Sequence, residues 1–272
     1  MRLGFSTLGC SGDPLASVVR LAVSSGWTAV ELRAGPDEPV HVGLSMPQRD
    51  QVRRTLADAG VGPIAVASYI RVADPDADTD AVVAELVAHA RLAADVGAPY
   101  VRVFPGGDSE RPAESDEAAV ACLGAAARAL ADVPVSLALE THDSHRRGTD
   151  VARVLDRVDH PSVRAIWDAL HPWLAGEPPA ETATALRERI AYVQIKDVAS
   201  SSDLTPVLPG TGALPLGDIA ALALEIVPDG WLSLEWESKW FPTAPPLTDA
   251  LNAATELVRA WEGYPSPGRR TP

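Results

Sequence analysis

Four segments of the sequence place polar side chains at the ends of apolar runs. The segments LALETH, WDALH, YVQIKD and LSLEWE contribute Glu140, Asp168, Gln194, Lys196 and Glu235. Carboxylate and amide oxygens are the ligands that hard divalent cations prefer, and a carboxylate can also accept or donate a proton. The residue types therefore predict a metal site that carries out acid–base chemistry.

Side-chain alternation predicts that these residues share one interior. Successive side chains of a strand point to opposite faces, so in WLSLEWE the leucines fall on one face, and Glu235 and Glu237 fall on the other. The same count places further polar residues inward near strand ends: Glu31, Arg102, Glu140, Asp168, Gln194 and Lys196. We expect them at the carboxyl end of a barrel, where barrel enzymes carry their chemistry.

The predicted mouth has more carboxylates than cations. Such crowding is unfavourable, because an unpaired buried charge costs several kcal/mol. A divalent cation held by Glu140, Asp168 and Glu235, with the Gln194 amide oxygen as a fourth ligand, would relieve the repulsion. An all-oxygen ligand set suits Mn²⁺ or Mg²⁺ better than Zn²⁺, which prefers nitrogen and sulfur. We therefore expect Mn²⁺ or Mg²⁺ as the cofactor.

The elements that position these residues alternate along the chain. Short β-branched runs are followed by longer segments of helical period, in units of about 30 residues. The predicted strands are 3–7, 29–32, 64–68, 100–104, 135–140, 163–168, 191–196 and 231–235. This pattern predicts an α/β fold, a (β/α)8 TIM barrel, over an open Rossmann-like sheet, whose glycine fingerprint is missing after Thr7. We assign residues 1–264 to one barrel domain and expect residues 265–272 to be a disordered tail.

The composition limits the classes of partner. A formal charge of −14 argues against nucleic acid, because phosphate backbones would be repelled. No apolar run approaches the roughly 18 residues of a membrane span, and the N-terminus does not resemble a signal peptide, so we expect a cytoplasmic protein with no membrane partner. Cys10 and Cys122 are expected to be reduced core thiols. We therefore expect a small-molecule partner. The sequence does not decide whether the protein forms a homo-oligomer.

Together these segments resemble the xylose isomerase-like TIM barrels, which include sugar isomerases, sugar epimerases and inosose dehydratase-type enzymes. LALETH resembles the strand-five Glu motif of that family, WDALH its Asp-x-x-His, YVQIKD its His-x-Lys-Asp strand, LPGTGALPLGDI its Gly-x-Gly loop and LSLEWE its strand-eight Glu. The resemblance implies four metal ligands, Glu140, Asp168, Gln194 and Glu235, and a substrate-side His171. The family usually has His where this chain has Gln194, so we expect weaker metal binding and a stronger preference for hard cations.

The same resemblance suggests a reaction. We expect proton transfer next to the carbonyl of a sugar-like substrate, with Glu140 and Glu235 removing and returning the proton. An isomerase or epimerase is the expected enzyme. A dehydratase or lyase acting on a sugar or inositol-like substrate, a non-catalytic sugar-binding barrel and an endonuclease IV-like nuclease are the alternatives.

Several polar residues have alternative roles. Substrate contacts are expected from His171, Arg102, Lys196 and Glu31. Alternatively, Arg102 pairs with Glu31, and Lys196 pairs with a carboxylate. His142 and His145, in the loop THDSHRRG, are expected at the surface, and the GTG loop is expected either to be a plain turn or to bind phosphate through its backbone.

Overall fold

The computed structural model describes residues 1–262. Its strands are β1 Arg2–Ser6, β2 Ala29–Arg33, β3 Gly62–Arg71, β4 Tyr100–Phe104, β5 Ser136–Glu140, β6 Val163–Asp168, β7 Ile190–Ile195, β8 Val198–Ser200, β9 Asp203–Pro206 and β10 Trp231–Leu234. Eight of them close a parallel barrel in the order β1-β10-β7-β6-β5-β4-β3-β2, and β8 and β9 form a separate antiparallel pair. The predicted (β/α)8 fold is confirmed. The predicted tail, 265–272, and the last two residues of the predicted domain lie outside the described residues.

Helices surround the barrel. They are α1 Leu15–Ser25, α2 Met46–Asp58, α3 Thr79–Val96, α4 Pro112–Ala129, α5 Gly148–Val158, α6 Leu170–Leu174, α7 Pro179–Leu186, α8 Leu216–Ile226 and α9 Leu247–Glu262. Gly97 ends α3 in the left-handed region, at φ 86°, where a side chain would be strained. Among the helices of residues 1–262, none is long and apolar enough to cross a membrane.

Two apolar layers hold the barrel together. The outer layer lies between the strands and the helices and includes outward side chains such as Val101 and Leu137. The inner layer fills the bottom of the barrel with Ala29, Ile64, Ala65, Ala138, Ile166, Ala191 and Tyr192. Gly4 leaves room for it, because an added Cβ would lie 2.4 Å from Ile64 Cδ1. Since this packing occupies the lower interior, the inward polar residues gather above it, at the carboxyl ends of the strands.

β3 is longer than the sequence predicts. The expected end was Ser68, but the strand continues to Arg71. The extension is held by β4, since Arg71 is in register with Phe104 and the Val72 N–H donates to the Phe104 carbonyl at 3.0 Å. A contact between two strands that are distant in sequence therefore sets this boundary. It carries Tyr69 and Arg71 beyond the barrel wall to the mouth.

One carboxylate organises the connection from β7 to α8. Asp197 is fully buried and accepts hydrogen bonds from the backbone N–H groups of Val198, Gly210, Gly212 and Leu214 at 2.9–3.2 Å. Two GTG amides are thus occupied by the protein's own carboxylate, and the third, of Thr211, donates to the Leu208 carbonyl at 3.0 Å. The phosphate-binding alternative is therefore wrong, and the plain-turn alternative holds. Gly212 has to be small, because an added Cβ would lie 2.2 Å from Asp197 Oδ1.

Replacing Asp197 by Asn should destabilise the fold. An amide offers one acceptor oxygen where the carboxylate offers two, so at least one buried N–H group loses its partner. The free energy of unfolding should fall by about 1–3 kcal/mol in urea denaturation. The matched change Asp37→Asn, at an exposed carboxylate, should alter it by less than about 0.5 kcal/mol. Equal losses in the two variants would contradict the anchoring role of Asp197.

Candidate active site

Three carboxylates converge at the mouth of the barrel. Glu140 ends β5, Asp168 ends β6, and Glu235 directly follows β10. One carboxylate oxygen of each residue lies within 4.8 Å of the other two, and none of the three residues is more than 5% exposed. Parallel strands of a barrel end at the same rim, and each of these residues has inward parity. The structure therefore brings together the carboxylates that the sequence singled out.

Lys196 lies among these carboxylates. Its Nζ is 3.0 Å from Asp168 Oδ2 and 2.7 Å from Glu237 Oε1, and it is in direct contact with Glu235. Burial alone would lower the pKa of Lys196, but Asp168, Glu235 and Glu237 raise it well above its ordinary value. The ammonium is therefore charged, and the structure shows the carboxylate pairing that the sequence offered as an alternative.

Arg102 supplies a second positive charge. Its Nε lies 3.4 Å from Glu140 Oε2, its Nη1 lies 3.4 Å from Glu235 Oε1, and its Nη2 donates to the Ser68 carbonyl at 3.0 Å. Burial would lower the pKa of Arg102, but Glu140 and Glu235 raise it. The suggested ion pair between Arg102 and Glu31 is wrong, because the Glu31 oxygens accept hydrogen bonds from other groups.

Glu31 organises a hydrogen-bonded layer with residues of β7 and β10. It is fully buried and accepts hydrogen bonds from the Tyr192 hydroxyl, at 2.6 Å, and from the Ser233 hydroxyl. Gln194 Nε2 donates to both Glu31 oxygens, at 3.1 and 3.2 Å. Because the amide nitrogen faces Glu31, the amide oxygen of Gln194 is left for the site. Direct contact between Glu31 and a substrate stays a prediction.

The pKa values of the three carboxylates are shifted in different directions. Burial raises the pKa of Glu140 well above its ordinary value and also raises the pKa of Asp168. Burial acts in the same direction on Glu235, but Lys196 and Arg102 outweigh it and lower the pKa of Glu235 to about 2. The two cations thus stabilise the charge of Glu235 more than that of its neighbours.

The oxygens of this cluster fit a divalent cation. Within residues 1–262, the buried oxygens that accept no hydrogen bond are Glu140 Oε1, Glu140 Oε2, Asp168 Oδ2 and Gln194 Oε1. With Glu237 as the fourth, four carboxylates face two cations, so the cluster carries an excess of two negative charges when all four are ionised. A divalent ion would supply the missing charge and would use these oxygens as ligands. We conclude that the residues present fit such an ion.

Two histidines stack beside the cluster. The His142 and His171 ring centroids are 3.9 Å apart, and His171 Nε2 lies 3.7 Å from Asp168 Oδ2. Burial lowers the pKa of His171 well below its ordinary value, and His142 and Lys196 act in the same direction. His171 is therefore neutral at neutral pH. With Glu140, the two rings form a second group whose ligand atoms lie within 4.8 Å of one another.

The expected surface position of His142 and His145 is wrong. The two residues pair through their backbones, with N–H to carbonyl distances of 3.1 and 2.8 Å, and close a tight loop. His142 lines the cavity, whereas His145 is buried and its Nε2 lies 3.0 Å from Asp116. The sequence contained one signal for this placement: His142 has the same parity as Glu140.

A cavity of about 470 Å³ opens above the carboxylates. Glu140 and Glu235 lie in its wall, and Tyr69, Phe104 and Trp240 give the wall aromatic faces. Its volume is in the range of small-molecule sites. Tyr69 and Arg71 were missed as cavity residues because they follow the predicted end of β3, although side-chain alternation continued through them.

Comparison with known proteins agrees with this architecture. The family model described as xylose isomerase-like TIM barrel matches residues 19–260. A Streptomyces coelicolor protein, provisionally named a hydroxypyruvate isomerase, is 28% identical over 254 residues, which cover 85% of this chain and 88% of that protein.

Solved structures with the same fold include proteins of several activities. The IolI protein with a bound zinc atom has a TM-score of 0.78 at 18% identity, covering 96% of this chain and 98% of its own. An L-ribulose 3-epimerase has a TM-score of 0.80 at 16% identity, covering 100% of this chain and 99% of its own. At such identities the likeness shows the fold alone.

Replacing Lys196 by Met should destabilise the protein in a pH-dependent way. Breaking a buried ion pair costs about 3–5 kcal/mol, so the free energy of unfolding should fall by that order at about pH 7.5. Lys196 lowers the pKa of Asp168 and of Glu235, so without it these carboxylates take up protons more readily in the folded state. The deficit should therefore shrink at about pH 5.

Denaturant titrations at the two pH values measure this deficit. Lys239→Met, which removes the chain's other lysine from an exposed position, is the control and should cost little at either pH. A deficit of the same size at both pH values would contradict charge pairing as the role of Lys196.

Proposed function

The chain belongs to the xylose isomerase-like TIM barrel family, and on that basis we propose that it is a divalent-metal-dependent isomerase or epimerase of small sugar-derived substrates. The observation that carries the proposal is the convergence of Glu140, Asp168 and Glu235, among buried oxygens that accept no hydrogen bond, beneath an open cavity. The name of the Streptomyces coelicolor relative, provisionally a hydroxypyruvate isomerase, supports the same reaction class.

The cation would be held by four oxygen donors. These are the carboxylates of Glu140, Asp168 and Glu235 and the amide of Gln194, whose nitrogen is held by Glu31. Oxygen donors favour Mn²⁺ or Mg²⁺. When bound, the cation would supply Lewis-acid chemistry, polarising a substrate carbonyl and so acidifying the neighbouring C–H group.

Proton transfer is assigned to two carboxylates. Glu140 and Glu235 reach the cavity from different strands, so each can approach a bound substrate from its own side. One removes a proton from the carbon beside the carbonyl, and the other returns a proton. Return to the opposite face of the same carbon gives an epimer, and return to the adjacent carbon interconverts aldose and ketose. Loss of a β-hydroxyl from the same intermediate would be dehydration, which is the alternative reaction.

Substrate oxygens find donors around these carboxylates. Lys196 and Arg102 have N–H groups beside Glu235, and His171 lies beside Asp168 as a neutral imidazole. Such donors suit hydroxyl and carbonyl oxygens. The cavity wall and the chain as a whole carry more acids than bases, which supports a small molecule over the nucleic acid of the nuclease alternative.

The protein should bind one metal ion per chain, with an affinity that depends on residue 194. Metal-free protein titrated with Mn²⁺ in a calorimeter should bind one ion per chain, and Asp168→Asn should weaken binding by about tenfold or more. Gln194→His should bind Mn²⁺ and Zn²⁺ more tightly, because imidazole is a stronger donor and its second ring nitrogen can donate to Glu31.

The control for the histidine substitution is Gln51→His, at an exposed position of α2. This change should leave metal binding unchanged. Electron paramagnetic resonance of bound Mn²⁺ reports the ligand change independently. Absence of binding would contradict the metal-dependent proposal, and binding of several ions per chain would favour the nuclease alternative.

Proton transfer can be tested directly by isotope exchange. In D₂O with Mn²⁺, the protein should incorporate deuterium beside the carbonyl of at least one member of a panel of ketoses and hydroxy-oxo acids, detected by NMR. Glu140→Gln and Glu235→Gln should each slow the reaction by about 10²-fold or more while keeping an oxygen donor for the metal. Exchange that is absent across the panel, with metal bound, would contradict the proposed reaction.

A further inference from the structure

Arg71 is a cation of the cavity wall that the proposed reaction does not use. It lies on the extension of β3, and its side chain faces the same cavity as Glu140 and Glu235. The other two cations of the mouth, Arg102 and Lys196, are each within 4.0 Å of at least two carboxylates. Within residues 1–262, Arg71 has no carboxylate within that distance and no side-chain hydrogen bond. Its guanidinium therefore presents its N–H donors to the cavity.

The stem of Arg71 is held in place by the neighbouring loop. Gly106, after β4, has φ 60°, and an added Cβ would lie 2.4, 2.5 and 2.7 Å from the Cγ, Cδ and Cβ atoms of Arg71. The backbone of Arg71 is in register with Phe104, whose ring also lines the cavity. A side chain that is already packed along its stem loses less conformational entropy when its end group binds a ligand. The stem of Arg71 is thus restrained, although the residue as a whole is exposed.

A competing charge, Asp143, lies in the same wall. Its Oδ1 is 2.8 Å from His142 Nδ1, and its φ of 44° is in the left-handed region. His142 lowers the pKa of Asp143, and the charge of Arg71 acts in the same direction without forming a contact. Asp143 is therefore ionised. Its charge weakens the attraction of the Arg71 guanidinium for an anion, but Asp143 forms no ion pair with it.

We propose that Arg71 binds an anionic group of the substrate, so that the site takes acidic sugar-derived molecules carrying a carboxylate or a phosphate. A guanidinium pairs with the oxygens of either group through two parallel hydrogen bonds, and such charge-assisted bonds are stronger than those to neutral hydroxyls. The inference rests on the proposed function, since it names the substrate class of that same cavity. Arg71 is assigned as a specificity-determining residue that touches the substrate away from the metal ligands.

Three probes of one carbon skeleton test the inference by binding alone. Glycerol is neutral, glycerate carries a carboxylate and glycerol 3-phosphate carries a phosphate. Calorimetry with and without Mn²⁺ should show that the protein binds one of the two anions about tenfold or more tightly than glycerol. The anion that binds more tightly than glycerol even when Mn²⁺ is absent carries the group that Arg71 recognises.

Matched variants assign the preference to Arg71. Arg71→Gln should abolish the anion preference. Arg91→Gln, the same charge change at an exposed position of α3, should keep it. Asp143→Asn should strengthen anion binding by removing the competing charge, and Asn tolerates the left-handed backbone at this position. Gly106→Ala should weaken anion binding by displacing the arginine stem without changing any charge.

Two results would overturn the inference: equal affinity of the wild type for glycerol and for both anions, or equal loss of anion binding in Arg71→Gln and Arg91→Gln. Both differ from failure of the proposed function. An anion preference that depends on Arg71, observed together with no deuterium exchange, would support the anion-binding site and contradict the proposed reaction. Exchange into neutral sugars that Arg71→Gln leaves unchanged would keep the reaction and remove the anionic substrate.

Discussion

The structure depends on how negative charge is compensated at the buried mouth of the barrel. Glu140, Asp168 and Glu235 are brought within a few ångströms of one another by strands that end at one rim. Lys196 and Arg102 neutralise part of this charge from inside the cluster. The remaining excess and the oxygens that accept no hydrogen bond support the proposal of a divalent cation in this site. The pKa values and the proposed reaction both follow from this convergence.

The layer around Glu31 explains how an amide can occupy the position where the family resemblance leads us to expect a histidine. A free glutamine amide could turn either its nitrogen or its oxygen toward the cluster. Glu31 removes this ambiguity, because it accepts both available hydrogen bonds from Gln194 Nε2 and is itself fixed by Tyr192 and Ser233. The orientation of the oxygen donor is thus determined by a residue that lies outside the set of ligands.

The sequence predicted the barrel and the inward residues because both depend on local patterns. Strand and helix periods alternate through the chain, and parity alone places Glu140, Asp168 and Glu235 on the interior face. The partners of the charged groups could not be predicted, since the choice of Arg102 between Glu31 and Glu140 depends on the depth of each side chain in the barrel. The extension of β3 was missed because a strand distant in sequence sets its end. The turn of His142 into the cavity was missed because the backbone pairing of a tight loop sets it.

The saturated connection after β7 has a consequence for how substrate preference can change in such proteins. Because Asp197 already takes the N–H groups of Gly210 and Gly212, this connection is rigid and these N–H groups are not available to a ligand. The opposite side, where β3 overhangs, presents side chains whose replacement leaves the metal ligands untouched. Under the proposed function, selectivity and catalysis are therefore separable, so mutations on one half of the rim would redirect substrate preference without disabling the reaction.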